Sequence, residues 1–207
     1  MNTHAKHPVI IYAESTPNPA SMKFVANQLL LSDGATAQYL SKGETKGAPL
    51  AAKLFEFPFV KAVFFASNFV TVLKTDVVQW DDITLELRDF IRTYINDGKP
   101  IITELPKTEV AVDNTFTAKK AVYTEHAAPS TEIEVKIVEI LEQYIRPAVE
   151  GDGGSITFKE FRDGIVTVQL RGSCSGCPSS TITLKAGIEG LLKRMVPEVQ
   201  EVVSEAV

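Results

Sequence analysis

A chain of 207 residues, 44% apolar and 23% charged, has the length and composition of one large or two small globular domains. Its net charge of -5 leaves no excess of cations to displace counterions from phosphates, so a sequence-independent nucleic-acid binder is excluded. No stretch approaches the ~20 consecutive apolar residues of a bilayer span, and no membrane is expected as a partner.

The opening residues, MNTHAKHPVIIYAESTPNPA, contain one Lys and only a short apolar run. That is too little for a secretory signal and too poor in Arg for a mitochondrial presequence, so the expected location is cytoplasmic. Val9 to Ala13 and Phe24 to Leu31 have strand character on either side of TPNPAS, in which Pro17 and Pro19 hold Thr16 and Asn18 extended. A rigid turn joining two strands is expected there. Pro49 suits the first turn of a short helix. Val60 to Phe65 and Phe69 to Lys74, rich in Val and Phe, read as a second hairpin around Ala66, Ser67 and Asn68. Ile83, Leu87, Phe90, Ile91, Tyr94 and Ile95 fall at helical spacing, with Asp81 or Asp82 placed to cap the start and Gly98 the end.

Residues 104–131 lose this periodicity and read as a linker, with a weak strand around Glu109 to Val112. Beyond them, Thr131 and Glu134 match a capping box, and Ile133, Ile137, Ile140, Leu141, Tyr144 and Ile145 form one apolar face that Pro147 should end or kink. The glycines of GDGG at 151–154 require a sharp turn. Ile156 and Phe158 lead through Asp163-Gly164 into Val166, Val168 and Leu170, a hairpin with one buried face. Leu184, Ile188, Leu191, Leu192 and Met195 define another helix, stopped by Pro197, and Val199 to Val203 a last strand. The fold class expected is α+β: two small α+β domains, 1–103 and 132–207, joined by a flexible linker, the second in the order α-β-β-α-β.

Both cysteines of the chain, Cys174 and Cys177, lie in RGSCSGCPSS, between the second strand of that hairpin and the next helix. Pro178 suits the helix's first turn, which places both sulfurs near a helix N-terminus, where thiolate is favoured over thiol. Gly172 and Gly176 let backbone come close to whatever the sulfurs bind, and Arg171 and Lys185 add positive charge. Four uses are open. Core filling is poorly served by flanking Ser and Gly. Thiol-disulfide exchange fits a CxxC at a helix N-terminus, although the strand before it is expected in a hairpin rather than a βαβ unit. Structural zinc needs further ligands, and His4, His7 and His126, in the tail and linker, read as solvated. An iron-sulfur cluster takes four thiolates, which two copies of the chain around a two-fold axis would supply.

RPAVEGDGGSITF, followed by DGIVTVQLRGSCSGCPSSTITLKAGIEGLLKRMVPEV, closely resembles the NifU-like C-terminal domain of iron-sulfur cluster scaffold and carrier proteins. The first half resembles the N-terminal domain of Nfu-type carriers, with TPNPASMKF as its signature. The resemblance implies that Cys174 and Cys177 are the metal and cofactor ligands of a [4Fe-4S] cluster bridging a homodimer, with a [2Fe-2S] form possible. It also implies a non-enzymatic carrier that takes clusters from upstream assembly machinery and passes them to apo iron-sulfur proteins. Ser155 departs from the acidic residue many relatives have after DGG.

Overall fold

The structure, a computed structural model, describes residues 8–31, 34–105, 126–175 and 178–206. The first half is a five-stranded antiparallel sheet in the order β1-β2-β5-β4-β3: β1 (Ile11–Ser15), β2 (Ser21–Ala26), β3 (Thr36–Tyr39), β4 (Val60–Ala66) and β5 (Phe69–Lys74). The TPNPAS turn joins β1 to β2 as expected. The Asn18 side chain accepts from the Ala20 N–H at 3.0 Å, and the Pro19 carbonyl accepts from the Trp80 indole at 2.9 Å. Both bonds tie the turn down. Strand β2 stops at Ala26 rather than Leu31, because the N–H groups of Leu30 and Leu31 turn to the Ser67 carbonyl in the β4–β5 corner. The four-residue β3 has no counterpart among the sequence expectations, being too short to show alternation.

Alternation divides the sheet into two faces. Met22, Phe24, Val63, Phe65, Val70 and Val72 point into the main core with the apolar side of helices α1 (Pro49–Leu54) and α2 (Trp80–Asn96). Val25, Phe64, Ala66 and Phe69 form a separate small cluster. In α2 the buried stripe is Ile83, Leu87, Ile91, Tyr94 and Ile95. Asp81 and Asp82 sit inside its first turn, where they oppose the helix dipole, while Gln79 takes the cap position without a side-chain bond. Gly98, at φ +70°, ends the helix by donating to the Ile95 carbonyl.

The second half runs helix α3 (Glu132–Ile140), helix α4 (Arg146–Gly151), β6 (Gly154–Arg162), β7 (Ile165–Gly172), helix α5 (Pro178–Met195) and β8 (Glu201–Ala206). This is the expected α-β-β-α-β order, with α3 and α4 continuous. The full capping box of Thr131 and Glu134 starts α3. Pro147 does not end the helix. One wide π-helical turn, Leu141–Ile145, shifts the hydrogen bonding by a residue, and Pro147 falls in the first turn of α4, where no N–H is needed. Asp163 and Gly164, at φ +51° and +82°, make the tight turn between β6 and β7. Strand β8 then pairs parallel to β7, so β7-α5-β8 is a βαβ unit as well as β6-β7 a hairpin. Expecting a hairpin alone was too narrow, since an 18-residue helix carries the chain back to the end of the sheet where β7 began. Ile137, Leu141, Ile156, Phe158, Val166, Val168, Ile188 and Leu192 fill the second core. The possible strand at 109–112 lies outside the described residues. None of the described helices is long and apolar enough to cross a membrane.

Candidate metal centre

The hairpin register places Gly154 opposite Gly172, and so brings the two glycine-rich stretches of the sequence side by side. Gly153, at φ +81°, closes α4 by donating to the Glu150 carbonyl, and its own carbonyl receives the Ser173 N–H at 3.2 Å. The Ser173 hydroxyl donates to the Asp152 carbonyl. Ser175 folds back on the Gly172 carbonyl through both its N–H, at 3.2 Å, and its hydroxyl, at 3.0 Å. Residues 152–154 therefore both end a helix and form one wall of the cysteine loop.

Cys174 sits behind that wall. It is only 5% exposed and belongs to the second core, with Ser173 Oγ 3.8 Å from its sulfur. A Cβ on Gly154 would lie 2.8 Å from Cys174 Sγ. Cys174 is thus buried rather than presented as the thiolate expected near a helix N-terminus. Burial pushes the Cys174 thiol up to about 11, with the Asp152 carboxylate adding to the rise and the Ser173 hydrogen bond opposing it. Core filling, set aside on the loop's polar composition, is what Cys174 does in this conformation. Cys177 and Gly176 lie outside the described residues, and α5 starts at Pro178 as expected.

The neighbouring charges are largely committed. Lys185 lies 3.6 Å from Glu201, and Arg171, its guanidinium disfavoured by burial, donates to Gln169 at 2.9 Å. His126 is not the solvated side chain expected. Its Nδ1 accepts from the Phe158 N–H at 2.7 Å, which leaves the proton on Nε2, facing Glu142. Arg146 reaches the same carboxylate at 2.6 Å. Both ring nitrogens are thereby engaged, because the Ala127 N–H pairs with the Phe158 carbonyl and draws residues 126–127 onto β6. Among the described residues, no three His, Cys, Asp or Glu side chains come together to hold a metal. His4 and His7 lie outside those residues.

The first half reaches this loop directly. Asn18 Nδ2 donates to the Ser173 carbonyl at 3.0 Å, Thr71 Oγ1 to the Gly153 carbonyl at 2.7 Å, and Lys23 Nζ to the Gly151 carbonyl at 3.3 Å, while Gln38 Oε1 accepts from the Gly172 N–H at 2.7 Å. Pro17 and Asn18 share with Asp152, Ser173, Leu184 and Cys174 a cavity of about 20 Å³. A larger cleft of about 590 Å³ opens between Pro17, Ala148, Asp152 and Leu184, and Cys174 does not line it. None of these contacts was legible in the sequence, since they join positions up to 155 residues apart.

Residues 11–98 match the family model described as scaffold protein Nfu/NifU N terminal, and residues 137–203 match the NifU-like domain. Among curated relatives, the NFU1 iron-sulfur cluster scaffold homolog, mitochondrial, of Drosophila willistoni is 35% identical over 95% of this chain and 64% of its own length. NifU-like protein 4, mitochondrial, of Arabidopsis thaliana is 37% identical over 95% of this chain and 66% of its own. The NFU1 iron-sulfur cluster scaffold homolog, mitochondrial, of Homo sapiens is 35% identical over 95% of this chain and 73% of its own. The chain thus spans a little under two thirds of the fly and plant relatives. The expected cytoplasmic location is corrected by these relatives, each of which is named mitochondrial. A targeting segment is separable from the folded domains it accompanies, so the composition of residues 1–20 was a poor guide.

Proposed function

The chain belongs to the Nfu/NifU family of iron-sulfur cluster scaffold proteins, and on that premise we propose that it carries a [4Fe-4S] cluster between two copies of itself and transfers it to apo-proteins. The observation that carries this reading is the cysteine pair itself. The chain has two cysteines, both in one strand-to-helix loop inside the NifU-like match, and a cubane cluster takes four thiolates. An isologous pair of chains brings the same loop to the same axis twice and completes the set with Cys174 and Cys177 from each. A [2Fe-2S] form has the same ligand count.

Delivery is ligand exchange: a recipient thiolate bonds to iron as Cys174 or Cys177 leaves and takes up a proton. The donor is upstream assembly machinery, and no turnover chemistry is involved. The division of labour proposed is residues 1–103 for docking, 104–131 as tether and 132–207 for the cluster. Anaerobic incubation with ferrous iron and sulfide tests the reading. The parent chain gains the broad visible absorption of a cluster, and Cys174→Ser and Cys177→Ser each lose it; full loading of either variant contradicts the assignment. The βαβ unit around the loop favours a second reading, a thiol-disulfide oxidoreductase. That reading predicts a Cys174–Cys177 disulfide that cycles with a dithiol reductant in protein that takes up no iron.

A further inference from the structure

Across the sheet of the first half, register pairing sets Gln38 beside Phe64, Phe64 beside Thr71, and Thr71 beside Lys23. These four residues form one straight row over β3, β4, β5 and β2, on the face opposite the helices. All four touch the second half, at two short stretches of it that the β6–β7 register brings side by side. Gln38 takes the Gly172 N–H, Phe64 lies against Gly172, Thr71 gives its proton to the Gly153 carbonyl, and Lys23 reaches the Gly151 carbonyl. Asn18, from the TPNPAS turn, adds the Ser173 carbonyl. Each polar contact pairs a side chain of the first half with main chain of the second, so the row reads the shape of the loop rather than its side chains.

Bare glycines make this approach possible. A Cβ on Gly172 would stand 2.9 Å from the Phe64 ring, and one on Gly153 2.9 Å from Thr71 Oγ1. The docked turn closes over Cys174: the cavity that Pro17 and Asn18 share with it, about 20 Å³, has room for roughly one water molecule. A cubane cluster of eight atoms, or the loop of a second chain, does not fit between them.

We propose that the Gln38–Phe64–Thr71–Lys23 row and the Asn18 turn form an intramolecular docking surface for the cysteine loop, capping Cys174 until the two halves part. The occupant of the surface is the chain's own 151–154 and 171–175 backbone, and capping excludes both the cluster and the second copy. The significance of the cap rests on the cluster reading above, but its existence is testable without iron.

The test is the alkylation rate of Cys174 by iodoacetamide in the native, metal-free 207-residue chain carrying Cys177→Ser, with the urea-unfolded protein setting the ceiling. The capped chain reacts far below the ceiling. Gln38→Ala and Thr71→Val remove a half-buried and a buried hydrogen bond respectively, and each raises the rate by about fivefold, together by more. Lys23→Ala, at the rim, supplies the same comparison should an interior variant fail to fold, with a smaller acceleration. A parent rate at the ceiling, or folded variants that react no faster than the parent, overturns the cap and leaves the cluster reading standing. Faster alkylation of the Gln38→Ala and Thr71→Val variants, together with failure of those same variants with Cys177 restored, as well as of the wild-type chain, to load iron, upholds the cap and removes the cluster reading instead.

Discussion

Gly154 has no side chain because Cys174 and Arg171 occupy the space one would need: a Cβ there would meet the Arg171 carbonyl oxygen at 2.5 Å and Cys174 Sγ at 2.8 Å. Backbone on one side and a buried sulfur on the other cannot both give way. Gly154→Ala is therefore expected to lower stability by roughly 1–3 kcal/mol, read as a shift of the urea midpoint at constant slope. Glu142 is a second residue whose role lies in its contacts. Burial raises the pKa of its carboxyl, but the hydrogen bond from His126 and the charge and hydrogen bond of Arg146 outweigh that and hold it below its ordinary 4.5. A depressed folded-state value contributes stability that is complete above the unfolded value and is lost as pH falls through the folded one. The stability difference between wild type and Glu142→Gln should accordingly be largest near neutrality and shrink below about pH 4.5 in pH-dependent urea unfolding. A difference that stays constant through that range contradicts the assignment. From the sequence, GDGG is legible as a sharp turn because only glycine tolerates such backbone. That it would wall in Cys174, twenty positions away, is not, because the meeting depends on the β6–β7 register.

Elements with strong local signals were the ones read correctly. The Thr131 and Glu134 capping box lies within one turn of chain, and its geometry is what the residue types dictate: Glu134 N–H bonds to Thr131 Oγ1 at 3.2 Å, and the Glu134 carboxylate receives the Ser130 and Thr131 N–H groups. Thr131→Ala should cost about 1 kcal/mol of stability, measured by thermal or urea unfolding, with no effect of that size from the exposed neighbour Glu132. Strand β7 and helix α2 were equally legible, since alternation and the 3.6-residue period each run through them. Strand direction was not. Nothing in Val199 to Val203 says that β8 lies parallel to β7; that follows from the length of α5. The wide turn before Pro147 was missed for a related reason, because a proline announces a lost hydrogen bond but not how the helix repairs it.

At the scale of the molecule, two domains and a loop with two thiols were visible in the sequence, and their closure on one another was not. The row from Gln38 to Lys23 is scattered over residues 23 to 71, and only the sheet assembles it. The proposed site of two thiols per chain is thus paired with a proposed cover over Cys174 supplied by the same chain. The central claim is that the loop is half of a shared site. Anaerobic reconstitution of the full chain, followed by iron, acid-labile sulfide and molecular mass on the same sample, tests it most directly. The account predicts about two iron and two sulfide per chain and a dimer that forms only on loading. A monomer holding a complete cluster, or a chain that binds no iron while cycling a Cys174–Cys177 disulfide, would contradict it.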